Sequence, residues 1–388
     1  MVITLLLTLL VQVQVSCTDG DPVPVLLEQE SFRSDAIEAI DYLYNRQVDR
    51  AEEQMGRWRE SCPDHPVWAL WKGMELWWDL LEDLHDDSKD EQFLRWMERA
   101  DAAAVELLEQ NPEHTDAQIV RAVANGFAAR HHANRNRWVK SIRTASHAMN
   151  AHEELGRLAP DLTDNLFAEG MKLYYSAWLP DAYPVLKPFR WLLPDGDREE
   201  GLRLLEEASR TAVFSQPESL YFLGVILLRY EDRPSEATGR FQELVGRYPD
   251  NSYYRRMLVR SLFSQGMDRQ VVQVVDQSLD HWRRLARSDE RVLQEELLFW
   301  KGRSLLRMGL PAQAIRALEE SWKIGRELPN REERPIQVLS GYYAGRASEQ
   351  TGDIGSAREW YERILDLESE PDIRSEASDR LERLTPGS

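Results

Sequence analysis

The chain has little cysteine: two residues in 388, Cys17 and Cys62. Two positions so far apart give neither a metal-type spacing nor the disulfide framework that staples small secreted domains. Positive charge is outnumbered, 48 Lys and Arg against 67 Asp and Glu, for a net charge of −19. A surface of that sign keeps a protein soluble and excludes nucleic acid as the expected partner, because phosphates need a basic face. Glycine and proline are modest and low-complexity tracts are absent, so the chain is neither fibrous nor disordered. No stretch alternates apolar and polar residues as a strand does, and no Gly-rich phosphate loop follows one. His152 and Glu153 open like a zinc-protease motif, but Gly156 stands where the second His is required. His131 and His132 are adjacent, diverge by about 100° on a helix, and read as exposed or capping residues rather than a metal pair. Acidic pairs such as Glu206 and Glu207 fall on solvated helix faces, where a pKa suited to acid catalysis is not expected. No catalytic residue, metal or cofactor is therefore expected.

What the sequence does have is a repeated spacing. Gly302, Leu305, Gly309, Ala314, Leu318 and Ser321 set the pattern. It returns at Val259, Leu262, Gly266, Val271, Val275 and Ser278, and again at Gly345, Ser348, Gly352, Ala357, Tyr361 and Ile364. Offsets of three and four put the apolar members of each half on one helix face. The second Gly falls where the chain must turn, and the small residue opening the next half lets two helices approach closely. Each unit is a helical hairpin, and the hairpins stack.

This pattern resembles the tetratricopeptide repeat (TPR) family, closely over residues 220–365 and more loosely before. The resemblance implies an all-α, right-handed α-α superhelix without sheet, whose first helices line a concave groove. Asn111-Pro112, Ala159-Pro160 and Tyr248-Pro249 each close a unit, because proline lacks the donor that would continue a helix. The later units exceed the family's usual length, with the excess in the connectors at 286–291 and 328–334 and in longer second helices.

Residues 1–16 read as a signal or anchor and 17–33 as a tether, with helix beginning near Ser34. Residues 34–178 read as degenerate hairpins, 179–197 as an aromatic, Pro-rich loop, and 198–388 as regular repeats ending in a capping helix. The apolar run 1–15 is too short to span a bilayer. Ser16-Cys17 after it resembles the bacterial lipoprotein signal, in which the Cys is lipidated, although no Lys or Arg precedes the run and Gln14 stands where that motif prefers Leu. Plain secretion and a cytoplasmic location stay open as alternatives. Trp68, Trp71, Trp77 and Trp78 read as packing between hairpins, and the run at 86–90 as a solvated turn. The loop at 179–196 is expected to lie ordered against flanking first helices; Trp178, Tyr183, Phe189 and Trp191 are its candidate ligand contacts.

In the TPR resemblance, the position after the first-helix Gly points into the groove; here it is Arg260, Arg303 and Arg346. Arg256 and Arg307 lie one turn away, and Tyr253, Phe299 and Tyr342 are expected on the same inner face. Arg with flanking aromatics suits carboxylate and phosphate groups. The competing reading is that Glu296, Glu349 and other acids already neutralise this ladder. The expectation is a non-enzymatic scaffold of a bacterial cell envelope, exported and periplasmic or membrane-anchored through Cys17. Its ladder would hold a protein or peptide partner with acidic groups. The alternative is a periplasmic small-molecule or lipid binder that uses the aromatic loop.

Overall fold

Proline and polar caps set where the helices begin. Pro217, Pro234, Pro311 and Pro335 stand in first turns, where a missing N–H costs nothing. The side chains of His114, Asp197, Asn251 and Asp353 accept free N–H groups of the turns they open. The computed structural model describes residues 22–182, 195–285, 290–330 and 334–384. Among these residues the chain forms seventeen α-helices and no strand. The first four hairpins are α1 (Glu30–Tyr44) with α2 (Val48–Ser61), α3 (Val67–Glu82) with α4 (Asp90–Gln110), α5 (Thr115–Asn134) with α6 (Trp138–Leu158), and α7 (Asn165–Ala182) with α8 (Arg198–Thr211). The next four are α9 (Gln216–Arg229) with α10 (Pro234–Arg247), α11 (Ser252–Ser264) with α12 (Asp268–Arg284), α13 (Arg291–Arg307) with α14 (Pro311–Glu327), and α15 (Pro335–Thr351) with α16 (Ile354–Leu365); α17 (Pro371–Leu384) caps the array. The all-α hairpin array expected from the spacing is what the chain forms.

The repeated positions do what their chemistry requires. Gly266, Gly309 and Gly352 hold φ of 72°, 73° and 79° at three turns, a region nearly closed to other residues. Units without this glycine force Arg46, Asn136 and Asp232 to φ of 61°, 56° and 50°, at about 1 kcal/mol or more each. Arg46 offsets part of that through ion pairs with Asp79 at 2.9 Å and Glu82 at 2.8 Å. Where Gly302 and Gly345 meet the second helix, an added Cβ would lie 2.4 Å from Leu318 and 2.5 Å from Tyr361. Small residues there set how closely the two helices approach. The four tryptophans of α3 are all buried, and each contributes on the order of 1.5–3 kcal/mol by leaving water.

The array folds back on itself. Tyr44 of α1 donates its hydroxyl to Glu218 of α9 at 2.8 Å and accepts at its carbonyl from Asn251 at 2.7 Å. Trp78 of α3 packs edge-on against Tyr254 at 5.4 Å, and Arg130 of α5 lies over Tyr221 and Phe222 of α9 at 4.7 and 4.8 Å. Asp83, just past α3, pairs with Arg334 at 2.5 Å, and the carbonyl of His85 accepts from Asn330 at 2.9 Å. The N-terminal hairpins thus cover the inner sides of α9 and of the first half of α11, and reach the start of α15.

Several expectations are corrected. The later part of the tether is docked rather than free: Leu26 is fully buried, its N–H donates to Asp116 at 2.6 Å, and the carbonyl of Val23 lies 3.2 Å from His114. Helix α1 starts at Glu30, because Phe32 has a core site to fill. Helix α7 runs to Ala182 with Pro180 in its last turn, where proline removes few backbone bonds. The rest of the expected loop, with its ordering against the first helices, lies outside the described residues. His131 and His132 are buried, not exposed. His131 sits 3.2 Å from Asp90, which also takes two bonds from Arg135 at 2.6 and 2.8 Å. Asp90 is therefore no part of a solvated turn.

One buried acid gives a pH prediction. Oε1 of Glu295 and Oε1 of Gln337 are buried without partners and both crowd Gly325. Burial pushes the Glu295 carboxyl from its ordinary 4.5 up to about 8, against the opposing pull of Arg334. The folded state then keeps a proton that the unfolded state loses, so this residue's contribution falls as pH rises from 4.5 to about 8 and is level beyond. Glu295→Gln should remove that decline and raise stability near pH 8 by about 1 kcal/mol or more. Urea midpoints across this range check it; a variant less stable than wild type at the upper end would contradict it.

Candidate functional site

The first helices α11, α13 and α15 lie side by side, and their inner faces carry the predicted arginines. At 100° per residue, side chains three, four and seven apart share a face. Arg256, Arg260 and Phe263 share one on α11; Glu296, Trp300, Arg303 and Arg307 share one on α13; Tyr343 and Arg346 share one on α15.

The structure divides this face in two. In the upper part, toward the helix starts, Arg256 is buried, donates to the carbonyl of Leu81 at 2.9 Å and stacks over Tyr253 at 4.5 Å. It satisfies the C-terminal end of α3, where helix carbonyls lack partners. Arg260 donates to Glu296 at 2.5 Å, and Glu296 also accepts from Trp300 at 2.9 Å and lies 3.5 Å from Arg256. Burial alone would raise the Glu296 pKa, but Arg260 and Arg256 outweigh it and hold the carboxyl below its ordinary value. Glu296 neutralises Arg260 and partly offsets the charge of Arg256. Tyr253 shares a 2.8 Å hydrogen bond with Tyr221.

In the lower part the rungs differ. Arg303 is half-exposed, 4.2 Å over Tyr343 and 4.9 Å over Phe263. Among the described residues it has no hydrogen bond and no carboxylate partner. Burial pulls its pKa below the usual guanidinium value, opposed by Tyr343 and, more weakly, by Asp268, while Arg307 adds to the fall. Among the described residues, Arg346, also half-exposed, makes one hydrogen bond, to the Tyr342 hydroxyl at 3.2 Å, which itself donates to Glu376. Glu349 does not neutralise it; that acid pairs with Arg380 of the capping helix at 3.0 Å. Arg307 is exposed, bound to Asp268 and to the carbonyl of Phe263 at 3.0 Å.

Two expected contacts are corrected. Phe299 and Tyr342 are buried, at 1% and 2% exposure, and do not face the groove. Phe299 packs against Trp300 at 4.9 Å, and the Tyr342 hydroxyl donates to Glu376 of α17. The half-exposed aromatics are their neighbours Trp300 and Tyr343, with Phe263. Counting three residues from each Arg, rather than four, finds all three: Phe263 from Arg260, Trp300 from Arg303, Tyr343 from Arg346.

Of the loop candidates, Trp178 stacks on Tyr230 at 4.1 Å within its own array. Tyr183, Phe189 and Trp191 lie outside the described residues, as does Cys17. No cluster of three or more His, Cys, Asp or Glu among the described residues could hold a metal. No helix among them is long and apolar enough to cross a membrane.

No family model and no curated protein matches the chain. Among solved structures, PilW, a widely conserved type IV pilus biogenesis factor, is 13% identical with a TM-score of 0.35, covering 77% of this chain and 97% of that one. Human IFIT1, a dimer with PPP-AAAA, is 12% identical with a TM-score of 0.31, covering 87% and 94%. Yeast Tom70 is 11% identical with a TM-score of 0.22, covering 92% and 96%. With overlaps this loose, the hairpin architecture stands on the chain's own helices and their contacts.

Proposed function

We propose that this chain is a non-enzymatic helical-repeat scaffold that holds a carboxylate-rich protein or peptide segment on the lower inner face of α11, α13 and α15. The reading rests on Arg303, a cation seated between two aromatic rings and, among the described residues, without a hydrogen-bonded acid, in a chain of net charge −19. A guanidinium held flat on a ring gives up less freedom on binding and presents its N–H fork to a carboxylate bidentately. Arg346 offers a second fork one helix away, about 10 Å across the face. Two carboxylates on one extended segment span such a gap, at about 3.3 Å per residue. The probe is a fluorescein-labelled hexaglutamate peptide, with hexaglutamine as the control. The acidic peptide should bind and weaken as salt rises, while the neutral one should not bind; equal affinities would overturn the assignment.

The location belongs to the same proposal. The apolar run ending in Ser16-Cys17 supports export to a bacterial envelope, with Cys17 acylated as the first mature residue. Metabolic labelling with a fatty acid should mark the wild type and not Cys17→Ala. A wild type left unlabelled and unprocessed would sink this part.

A further inference from the structure

Residues 117–152 contain no Asp or Glu, in a chain with 67 of them among 388 residues. The same stretch holds six basic residues: Arg121, Arg130, Arg135, Arg137, Lys140 and Arg143. The first three are engaged inside the fold, by Asp101, Glu218 and Asp90. The other three, at the α5–α6 turn and along the start of α6, are exposed. Among the described residues their side chains have no carboxylate or hydrogen-bond partner. Between them stand Trp138, Val139 and Ile142, at 55%, 75% and 62% exposure. The other side of this helix is fixed: Ser141 donates to the carbonyl of Ala129 at 2.9 Å, and Ala151 and Leu155 are buried. The apolar group is therefore held outward on a docked helix.

We propose that this end of α6 seats the folded body on an anionic lipid bilayer, independently of any N-terminal anchor. Nucleic acid or an acidic protein would satisfy the three cations but leave Trp138, Val139 and Ile142 in water. An apolar protein groove would bury those three and leave the cations unanswered. A bilayer interface takes both within about two helix turns: tryptophan settles at headgroup level, valine and isoleucine enter the acyl boundary, and Arg and Lys meet lipid phosphates. The remaining acidic surface is repelled by such a membrane, which orients the molecule with this patch down.

The test is co-sedimentation of the full chain, carrying Cys17→Ala so that no acyl group contributes. Its vesicles are phosphatidylcholine alone, and phosphatidylcholine with phosphatidylglycerol in equal parts. Each cation near an anionic surface is worth about fivefold in affinity. Arg137→Gln with Lys140→Gln and Arg143→Gln should thus weaken binding to mixed vesicles about 100-fold. Trp138→Ser with Ile142→Ser should also release the protein, and phosphatidylcholine alone should bind weakly. All these side chains are exposed, so an unchanged circular dichroism spectrum is expected for every variant. Equal binding to both vesicle types would overturn the proposal, as would folded variants that bind like the parent. So would a parent that ignores vesicles but self-associates or binds nucleic acid through these residues.

Discussion

Glu296→Ala should lower stability by about 3–5 kcal/mol, the cost of leaving a buried charge uncompensated. Glu296 is 4% exposed, and its carboxylate answers Arg260, Arg256 and the Trp300 indole together. Removing it strands the buried Arg256, which also holds the end of α3, and leaves the partly exposed Arg260 without its acid. The loss therefore reaches from α13 to the N-terminal hairpins. Arg303→Gln, two turns further along the same helix, strands no acid and should cost under about 1 kcal/mol. Replacing Glu296 and Arg260 together by leucine should cost less than Glu296→Ala alone, because an apolar pair leaves fewer charges unpaired. Urea unfolding of the three variants checks the order, and a Glu296→Ala as mild as Arg303→Gln would contradict it. In acid the wild type should follow the same logic. A carboxyl held below its ordinary pKa stabilises the fold above that pKa, and the contribution is lost as pH falls through the depressed value.

Trp77→Ala should cost a similar amount, about 3–5 kcal/mol, for a different reason. Trp77 is 2% exposed, 5.0 Å from Phe127, 5.5 Å from Phe93 and 4.9 Å beneath Arg130. Its removal opens a cavity that helix backbones cannot close, and it takes one aromatic bed from the half-buried Arg130. Arg130 is also the side chain that carries contact from α5 to Glu218 and Tyr221 of α9. Trp138→Ala is the control: an exposed indole on α6 should change stability by less than about 0.5 kcal/mol. Comparable losses in both variants would mean that α3 is not a packing helix.

Local information carried the architecture. The C-terminal hairpins were legible because their punctuation acts within one turn: Gly266, Gly309 and Gly352 take positive φ, and Gly302 and Gly345 admit a second helix. The closed half of the groove was not legible, because Arg256 finds its acceptor at Leu81, 175 positions away. The same distance problem hid the burial of Asp90, whose Arg135 comes from the next hairpin. At Phe299 and Tyr342 the miss was one residue of helical phase. Both sit on the side of the first-helix glycine, three residues from Gly302 and Gly345, and so face the packed interior. Trp300 and Tyr343 share the arginine side instead.

The central claim is that carboxylates are taken by the open lower face and by no other part of the ladder. Fluorescence anisotropy of labelled hexaglutamate, titrated with wild type and with Arg303→Gln/Arg346→Gln, tests it most directly. Losing two charge-assisted contacts should weaken binding about tenfold or more. The urea midpoint should stay close to wild type and the salt dependence should flatten. A folded double variant that binds the peptide as tightly as wild type, with the same salt dependence, would contradict the claim.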